Sequence, residues 1–192
     1  IGSLQPVALD HDDTWALERR IAKAFTETGV TVPVYGLPTL SAVQNVAMNL
    51  YGAELFVSMM TEPEAVHHDL RIINDLICGL HRWYIEHLPA WQLQPVLSYA
   101  RTQPPGCGQL CGCSSQMLSP ELYTEFIAPY DDALLSVYPN GGMIHLCGAH
   151  TQHVTTWREM KSVRAIQVND RASEDLEIYF EELREDQILY VI

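Results

Sequence analysis

The stretch Gly141-Gly142-Met143-Ile144-His145-Leu146-Cys147-Gly148 decides the fold that we expect for this chain. Its centre is apolar and glycines flank it, which predicts a short buried strand. Alternate residues of a strand point to the same face, so His145 and Cys147 should project together where the strand meets a loop. Imidazole and thiol groups are both good zinc ligands. Each also has an ordinary structural interpretation, as a small buried hydrophobe for Cys147 and a backbone-bonded side chain for His145.

Helices and strands alternate around this stretch with short connections. Ser119, Pro120 and Glu121 are typical of a helix start, and we expect that helix to run to Pro139. The remaining pattern predicts a helix over residues 150–160, a strand over 163–168, a helix from Ser173 to about residue 184 and a strand over 187–192. This alternation predicts parallel strands joined by crossover helices, and therefore an α/β fold.

A (β/α)8 TIM barrel fits this order better than a dinucleotide-binding fold, because no glycine-rich phosphate-binding fingerprint follows the first strand. Ligands of such barrels gather at the carboxyl ends of the strands, where His145, Cys147 and Asp170 are predicted to lie. The 192 residues are fewer than the roughly 250 of a typical barrel. We therefore expect residues 1–192 to form a single domain, a partial barrel that is truncated at both ends.

The first half of the chain adds three predicted helices and two predicted strands. The helices are expected over residues 13–28, 41–50 and 62–87, and the strands over residues 30–35 and 94–99. The longest helix should begin with a capping box at residues 61–64 and bury one apolar face. Cys78 and His81 lie beside that face and are expected to have packing or surface roles. His67 and His68 are expected to be exposed to solvent.

Composition excludes several classes of partner. The net charge of −13 argues against binding to nucleic acid or to an anionic membrane. No apolar run reaches the roughly 18 residues of a membrane-spanning helix, and the sequence contains no basic n-region followed by a secretory cleavage pattern. Five cysteines, an odd number, do not suggest a disulfide framework. We therefore expect a cytoplasmic protein whose thiols remain free for metal binding or catalysis.

A second group of cysteines lies upstream, between residues 107 and 116. Cys111 and Cys113 would face the same way in an extended segment, which makes a second metal-binding pair conceivable. An equally good interpretation is a tight, glycine-containing segment where cysteines fit because space is short.

Three polar residues follow the predicted strands. His150 and His153 fall on a predicted helix, where surface positions are expected, and His150 is an outside candidate for substrate contact. Asp170 could orient a ligand or hold a zinc-bound imidazole. Capping of the helix that begins near Ser173 explains Asp170 equally well.

Several of these stretches, taken in order, resemble the uroporphyrinogen decarboxylase superfamily. The matching pieces are Ser119–Tyr123, Phe126, Ala128–Tyr130 and His145–Gly148, with Gly36–Thr39, Leu50–Glu54 and Glu62–Glu64 upstream. The resemblance covers about residues 30–192. It implies a barrel with one of two activities. One branch decarboxylates uroporphyrinogen without a cofactor, and the other comprises zinc-dependent methyltransferases that move a methyl group between a corrinoid protein and a thiol such as coenzyme M.

The His-x-Cys-Gly stretch is similar to the methyltransferase branch, which implies zinc bound by His145 and Cys147. That branch takes a third ligand, a cysteine, from a later strand. In this chain Cys111, Cys113 or a residue beyond Ile192 would fill that role, and Cys113 is our choice. The resemblance also implies a thiol substrate and a corrinoid-carrying protein partner, and it allows a homo-oligomer.

Two further expectations follow from the same resemblance. Substrate contacts are expected near Ser115 and Gln116, where many relatives carry an acidic residue. The alternatives are a uroporphyrinogen decarboxylase-like lyase, for which Arg101 is the sole cation expected near the site, and a non-catalytic zinc-binding barrel fragment.

Overall fold

The computed structural model describes residues 1–29, 42–90, 93 and 104–191. The helices there are α1 Asp13–Glu27, α2 Val43–Tyr51, α3 Glu54–Thr61, α4 Pro63–His87, α5 Pro120–Phe126, α6 Ala128–Leu135, α7 Val154–Glu159 and α8 Leu176–Glu182. The strands are β1 Gly108–Cys111, β2 Gly142–Cys147, β3 Val163–Asn169 and β4 Ile188–Val191. Short 3₁₀ helices cover Leu9–His11, Cys113–Met117, Thr151–His153 and Asp170–Asp175. The strands predicted over residues 30–35 and 94–99, the stretch Gly36–Thr39 and Arg101 lie outside the described residues.

The four strands form one parallel sheet in the order β1-β2-β3-β4. Each successive pair is joined by helices, as crossover connections between parallel strands require. The alternation that the sequence predicted from Ser119 onward is therefore confirmed as a mixed α/β fold with a four-stranded parallel sheet.

The two faces of this sheet differ in chemistry. One face carries apolar side chains that join the main hydrophobic core, namely Leu110, Ile144, Leu146, Ile166 and Val168. Helical residues such as Phe126 and Trp157 belong to that same core. The strand register aligns the polar residues on the opposite face, namely Gln109, Cys111, His145, Cys147, Gln167 and Asn169. The helices thus cover the apolar face, and the polar face collects the groups that can do chemistry.

The helix predicted from Ser119 to Pro139 is wrong as a single element, because the chain breaks it at Ile127 into α5 and α6. Pro129 lies in the first turn of α6, where its missing N–H is tolerated; inside a continuous helix it would remove a hydrogen bond. The predicted start of α5 is confirmed, since the Ser119 hydroxyl oxygen accepts a hydrogen bond from the N–H of Leu122 at 3.3 Å.

The long helix α4 buries the predicted apolar face through Val66, Leu70, Ile73 and Ile77. The predicted capping box at the start of α4 is wrong. Glu62 is the N-cap residue, and its side chain accepts no hydrogen bond from the first turn of the helix. Cys78 and His81 are buried, as a packing role requires. His68 is exposed as expected, whereas the ring of His67 is half-buried and stacks on Phe126 with centroids 4.5 Å apart.

His81 should make the stability of the fold depend on pH. Burial lowers the pKa of His81 to about 4, below the usual value of 6.5, so the unfolded chain binds a proton that the folded chain rejects. The stabilisation of the folded state that follows from this difference in pKa is complete above pH 6.5 and is lost as the pH falls toward 4. Between pH 7.5 and pH 5 we expect the wild type to lose about 2 kcal/mol more unfolding free energy than a His81→Leu variant does.

Urea unfolding at the two pH values measures this difference. His11→Gln is the matched control, because it removes a histidine from an exposed position and leaves the buried His81 in place. Equal pH dependence in the wild type and in His81→Leu would show that His81 does not titrate in this way.

Candidate metal centre

Three side chains converge at the carboxyl ends of the first two strands. The ligand atoms of Cys113, His145 and Cys147 all lie within 4.8 Å of one another, and we call this group the candidate metal centre. The Sγ of Cys147 is 3.2 Å from the Nε2 of His145. Tetrahedral zinc with these ligands places the donor atoms about 3.5–3.8 Å apart, so small side-chain adjustments would bring all three onto one ion.

Strand β2 supplies two of the three donors. His145 and Cys147 alternate along β2, and the prediction that they project together is confirmed. The register of the parallel strands places Cys111 of β1 directly opposite His145. The strand nevertheless ends at Cys111, so the chain has turned before it reaches Cys113.

Gly112 makes the turn that delivers Cys113. Its N–H donates to the carbonyl oxygen of His145 at 2.9 Å, which holds the turn against β2. A Cβ at position 112 would lie only 3.0 Å from Cγ2 of Ile144, so the position favours a residue without a side chain. The two cysteines therefore do not act as one extended pair, and Cys113 rather than Cys111 belongs to the candidate metal centre.

Helix α2 fastens the loop that carries Cys113. The Gln44 amide donates to the carbonyl oxygen of Ser114 at 3.0 Å. The Asn45 amide donates to the carbonyl oxygen of Cys111 at 2.9 Å, and the Asn45 amide oxygen accepts from the N–H of Ser114 at 3.3 Å. These contacts span about 70 positions of sequence, so no local pattern predicted them.

Two buried histidines hold the other side of the same loop. The surface positions expected for His150 and His153 are wrong, because both side chains are fully buried. His150 donates from Nδ1 to the carbonyl oxygen of Gly148 at 2.8 Å, and His153 donates from Nε2 to the carbonyl oxygen of Ser115 at 2.8 Å. Burial lowers the pKa of both imidazoles, so they act as neutral donors. The hydrogen bond of His153 ties the 3₁₀ turn after β1 to the segment after β2, and that of His150 closes the loop after β2 on itself.

Within the described part of the chain, no positive charge contributes to the pKa of the Cys113 thiol. Burial raises the pKa of the Cys113 thiol to about 12, and the hydrogen bond to Cys147 and the charge of Cys147 add to the rise. Two thiolates at this spacing repel each other, and a divalent cation between them removes that repulsion. The donor set therefore fits a soft or borderline cation such as Zn²⁺.

Gln167 lies beside the candidate metal centre and was not among the residues predicted for it. Its amide oxygen contacts the Nδ1 of His145, the ring nitrogen that faces away from Cys147. Gln167 is fully buried in β3 and pairs in register with His145. The sequence feature that could have indicated a role for Gln167 is its position as the lone carboxamide in the otherwise apolar end of the stretch Val163–Val168.

The predicted substrate and catalytic residues lie around the same edge of the sheet. Ser115 is buried and its hydroxyl donates to the carbonyl oxygen of Gly112 at 2.6 Å. The exposed Gln116 places its amide against Gly148, where a Cβ would clash with it. Asp170 is exposed at the end of β3 with φ of 53°, and its carbonyl oxygen accepts from the Ser173 hydroxyl at 2.6 Å. The amide oxygen of Gln167 contacts the imidazole of His145.

Comparison of the chain with profiles of known protein families, with curated proteins and with solved structures gives no match. Among the described residues, no helix has the length and apolar character needed to cross a lipid bilayer.

Proposed function

We propose that this chain is a zinc-dependent methyltransferase-like protein that moves a methyl group between a corrinoid protein and a thiol. The observation that carries the proposal is the convergence of Cys113, His145 and Cys147. Within the described residues this group has three members, and catalytic zinc sites take three protein ligands and keep a fourth position for water or substrate. Structural zinc sites use four protein ligands instead.

The chain's own residues suit this chemistry. Two thiolates and one neutral imidazole would balance the charge of Zn²⁺, and the half-exposed Cys113 and Cys147 leave a route for a substrate from solvent. A bound Zn²⁺ would lower the pKa of a substrate thiol, so that thiolate is present at neutral pH. In the transfer, the substrate thiol would release its proton to solvent and its sulfur would form a bond to the methyl carbon. The carbon–cobalt bond of the corrinoid substrate would break, with its electron pair left on cobalt.

We also propose that the sheet is part of a (β/α)8 barrel of the uroporphyrinogen decarboxylase superfamily. The support is the division of the sheet into an apolar face beneath the helices and a polar face, which would be the barrel interior. The candidate metal centre lies at the carboxyl ends of the strands, where barrel enzymes have their active sites. The capped start of α5 at Ser119 and the left-handed Gly148, with φ of 90°, fit the two stretches that carry the resemblance.

The lyase alternative needs cations that bind substrate carboxylates. Arg164 and Arg184 both pair with Asp186 at 2.9 Å, and Arg184 also donates to the carbonyl oxygen of Val163 at 3.1 Å. Val163 begins β3, so these guanidinium groups are engaged at the end of the sheet opposite the candidate metal centre. Arg101 lies outside the described residues. Arg171 follows β3 at the carboxyl edge of the sheet, so the preference for methyl transfer over decarboxylation rests on the thiol and imidazole donors and not on a lack of cations.

Metal analysis and a transfer assay test the proposal together. We expect one zinc ion per purified chain, and loss of methylcobalamin absorbance when the zinc-loaded chain is mixed with a small thiol in the dark. Chelation should abolish the transfer and added Zn²⁺ should restore it. Absence of bound metal would overturn the proposal. Stoichiometric zinc with no transfer to any of several thiols would overturn the methyltransferase assignment and favour a non-catalytic zinc-binding domain.

A further inference from the structure

The two ring nitrogens of His145 have different partners. The Nε2 faces Cys147 at 3.2 Å, and the Nδ1 contacts the amide oxygen of Gln167. A neutral imidazole carries its proton on one nitrogen only, and the other nitrogen is then free to bind a metal. An amide oxygen accepts hydrogen bonds and cannot donate them. The contact therefore requires the proton of His145 to be on Nδ1.

The position of Gln167 is costly for a polar residue. It is fully buried in β3, one of the two central strands of the sheet. Its amide nitrogen has no hydrogen-bond partner among the described residues. A buried carboxamide with one unsatisfied end is less favourable there than an apolar side chain of similar size. Gln109 is buried on the same face of the sheet and neither of its amide atoms has a partner among the described residues, so the contact with His145 is what distinguishes Gln167.

We propose that Gln167 is a positioning residue for the candidate metal centre. Its amide oxygen holds His145 in the Nδ1–H tautomer and directs the lone pair of Nε2 toward the two thiols. Metal-binding histidines commonly donate their second ring nitrogen to an oxygen that fixes tautomer and orientation. The carboxamide does this without adding a negative charge to a centre that already holds two thiols. This inference rests on the metal ion of the proposed function.

The tautomer of His145 can be measured directly in the metal-free chain. Long-range ¹H–¹⁵N correlation spectra of the histidine-labelled protein distinguish a proton on Nδ1 from one on Nε2. We expect the Nδ1–H pattern in the wild type and in Gln167→Glu, which keeps an acceptor oxygen. In Gln167→Leu, which has none, we expect a mixture of tautomers. Gln167→Met, with the length of glutamine, serves the same purpose if the leucine variant does not fold.

Titration with Co²⁺ alone gives the second measurement. Loss of the acceptor should weaken Co²⁺ binding about 10- to 100-fold, and Gln167→Glu should bind nearly as tightly as the wild type. Gln109→Leu is the matched control. Gln109 is a buried glutamine of β1 on the same face of the sheet as Gln167, and its amide atoms have no partner among the described residues. This variant should change neither the tautomer nor the affinity.

An unchanged Nδ1–H tautomer and unchanged Co²⁺ affinity in Gln167→Leu would overturn the proposal, as would an Nε2–H tautomer in the wild type. A wild-type chain that binds no metal ion would overturn the proposed function instead. The tautomer comparison would still decide whether Gln167 orients the ring.

Discussion

Replacement of Cys113 by serine is expected to weaken Zn²⁺ binding by more than about 100-fold, whereas the same change at Cys111 should leave it nearly unchanged. A protein zinc site with three or four ligands gains about 3 kcal/mol of binding free energy from each, which corresponds to a factor of about 100. Cys113 contributes one of the three donor atoms of the candidate metal centre. The serine hydroxyl keeps nearly the same volume but is a much poorer zinc ligand than a thiolate.

Cys111 is a demanding control for this experiment. It lies two residues before Cys113, is half-buried like it, and pairs directly with His145 across the sheet. Its backbone carbonyl holds the loop through Asn45, and a serine would keep that bond because it involves no side-chain atom of residue 111. Membership in the candidate metal centre is the difference between the two cysteines that this comparison tests.

Competition titration of each variant against a zinc-binding dye measures the affinities, and far-ultraviolet circular dichroism checks the fold. Equal losses in both serine variants would mean that the centre uses Cys111 as well. Wild-type affinity in Cys113→Ser would mean that the third ligand is a different residue, and the assignment of Cys113 would then be wrong.

Features with a local cause were predictable from the sequence. The start of α5 follows from Ser119 and Pro120, and β2 follows from an apolar run between glycines. The common direction of His145 and Cys147 needs only the alternation of side chains along a strand. The break between α5 and α6 was also visible in principle, since Pro129 cannot continue a helix hydrogen-bond ladder.

Features that depend on tertiary contacts were not predictable in the same way. His150 and His153 follow a strand in a polar segment, which suggests exposure, yet backbone carbonyls of the loops beside them accept their hydrogen bonds and bury them. The choice between Cys111 and Cys113 depends on where β1 ends, and element boundaries are the least certain part of a sequence-based prediction. Gln167 acquires its meaning only when the register places it beside His145.

Substitution of Gly141 by alanine should cost the fold about 3 kcal/mol or more of unfolding free energy, because a left-handed backbone and a steric overlap both oppose the new methyl group. Gly141 has φ of +67°, and a Cβ there would overlap the carbonyl oxygen of Ser162, which is backbone and cannot rotate away. That carbonyl accepts the N–H of Gly142 at 2.8 Å, and the carbonyl oxygen of Gly141 accepts the N–H of Gly108 at 2.8 Å. Relief of the clash would therefore disturb the starts of β1, β2 and β3 together.

A Gly29→Ala variant separates the cost of the left-handed backbone from the cost of the clash with Ser162. The φ of +66° at Gly29 is nearly the same, but no atom of the described residues lies within 4 Å of a Cβ built there. Gly29→Ala should thus show the cost of a left-handed alanine alone, about 1–2 kcal/mol. Urea unfolding of the two variants and the wild type measures both effects. Because the clash with Ser162 adds to the backbone cost only at Gly141, losses of equal size in the two variants would show that the sheet absorbs the extra methyl group and that this junction is less rigid than its hydrogen bonds indicate.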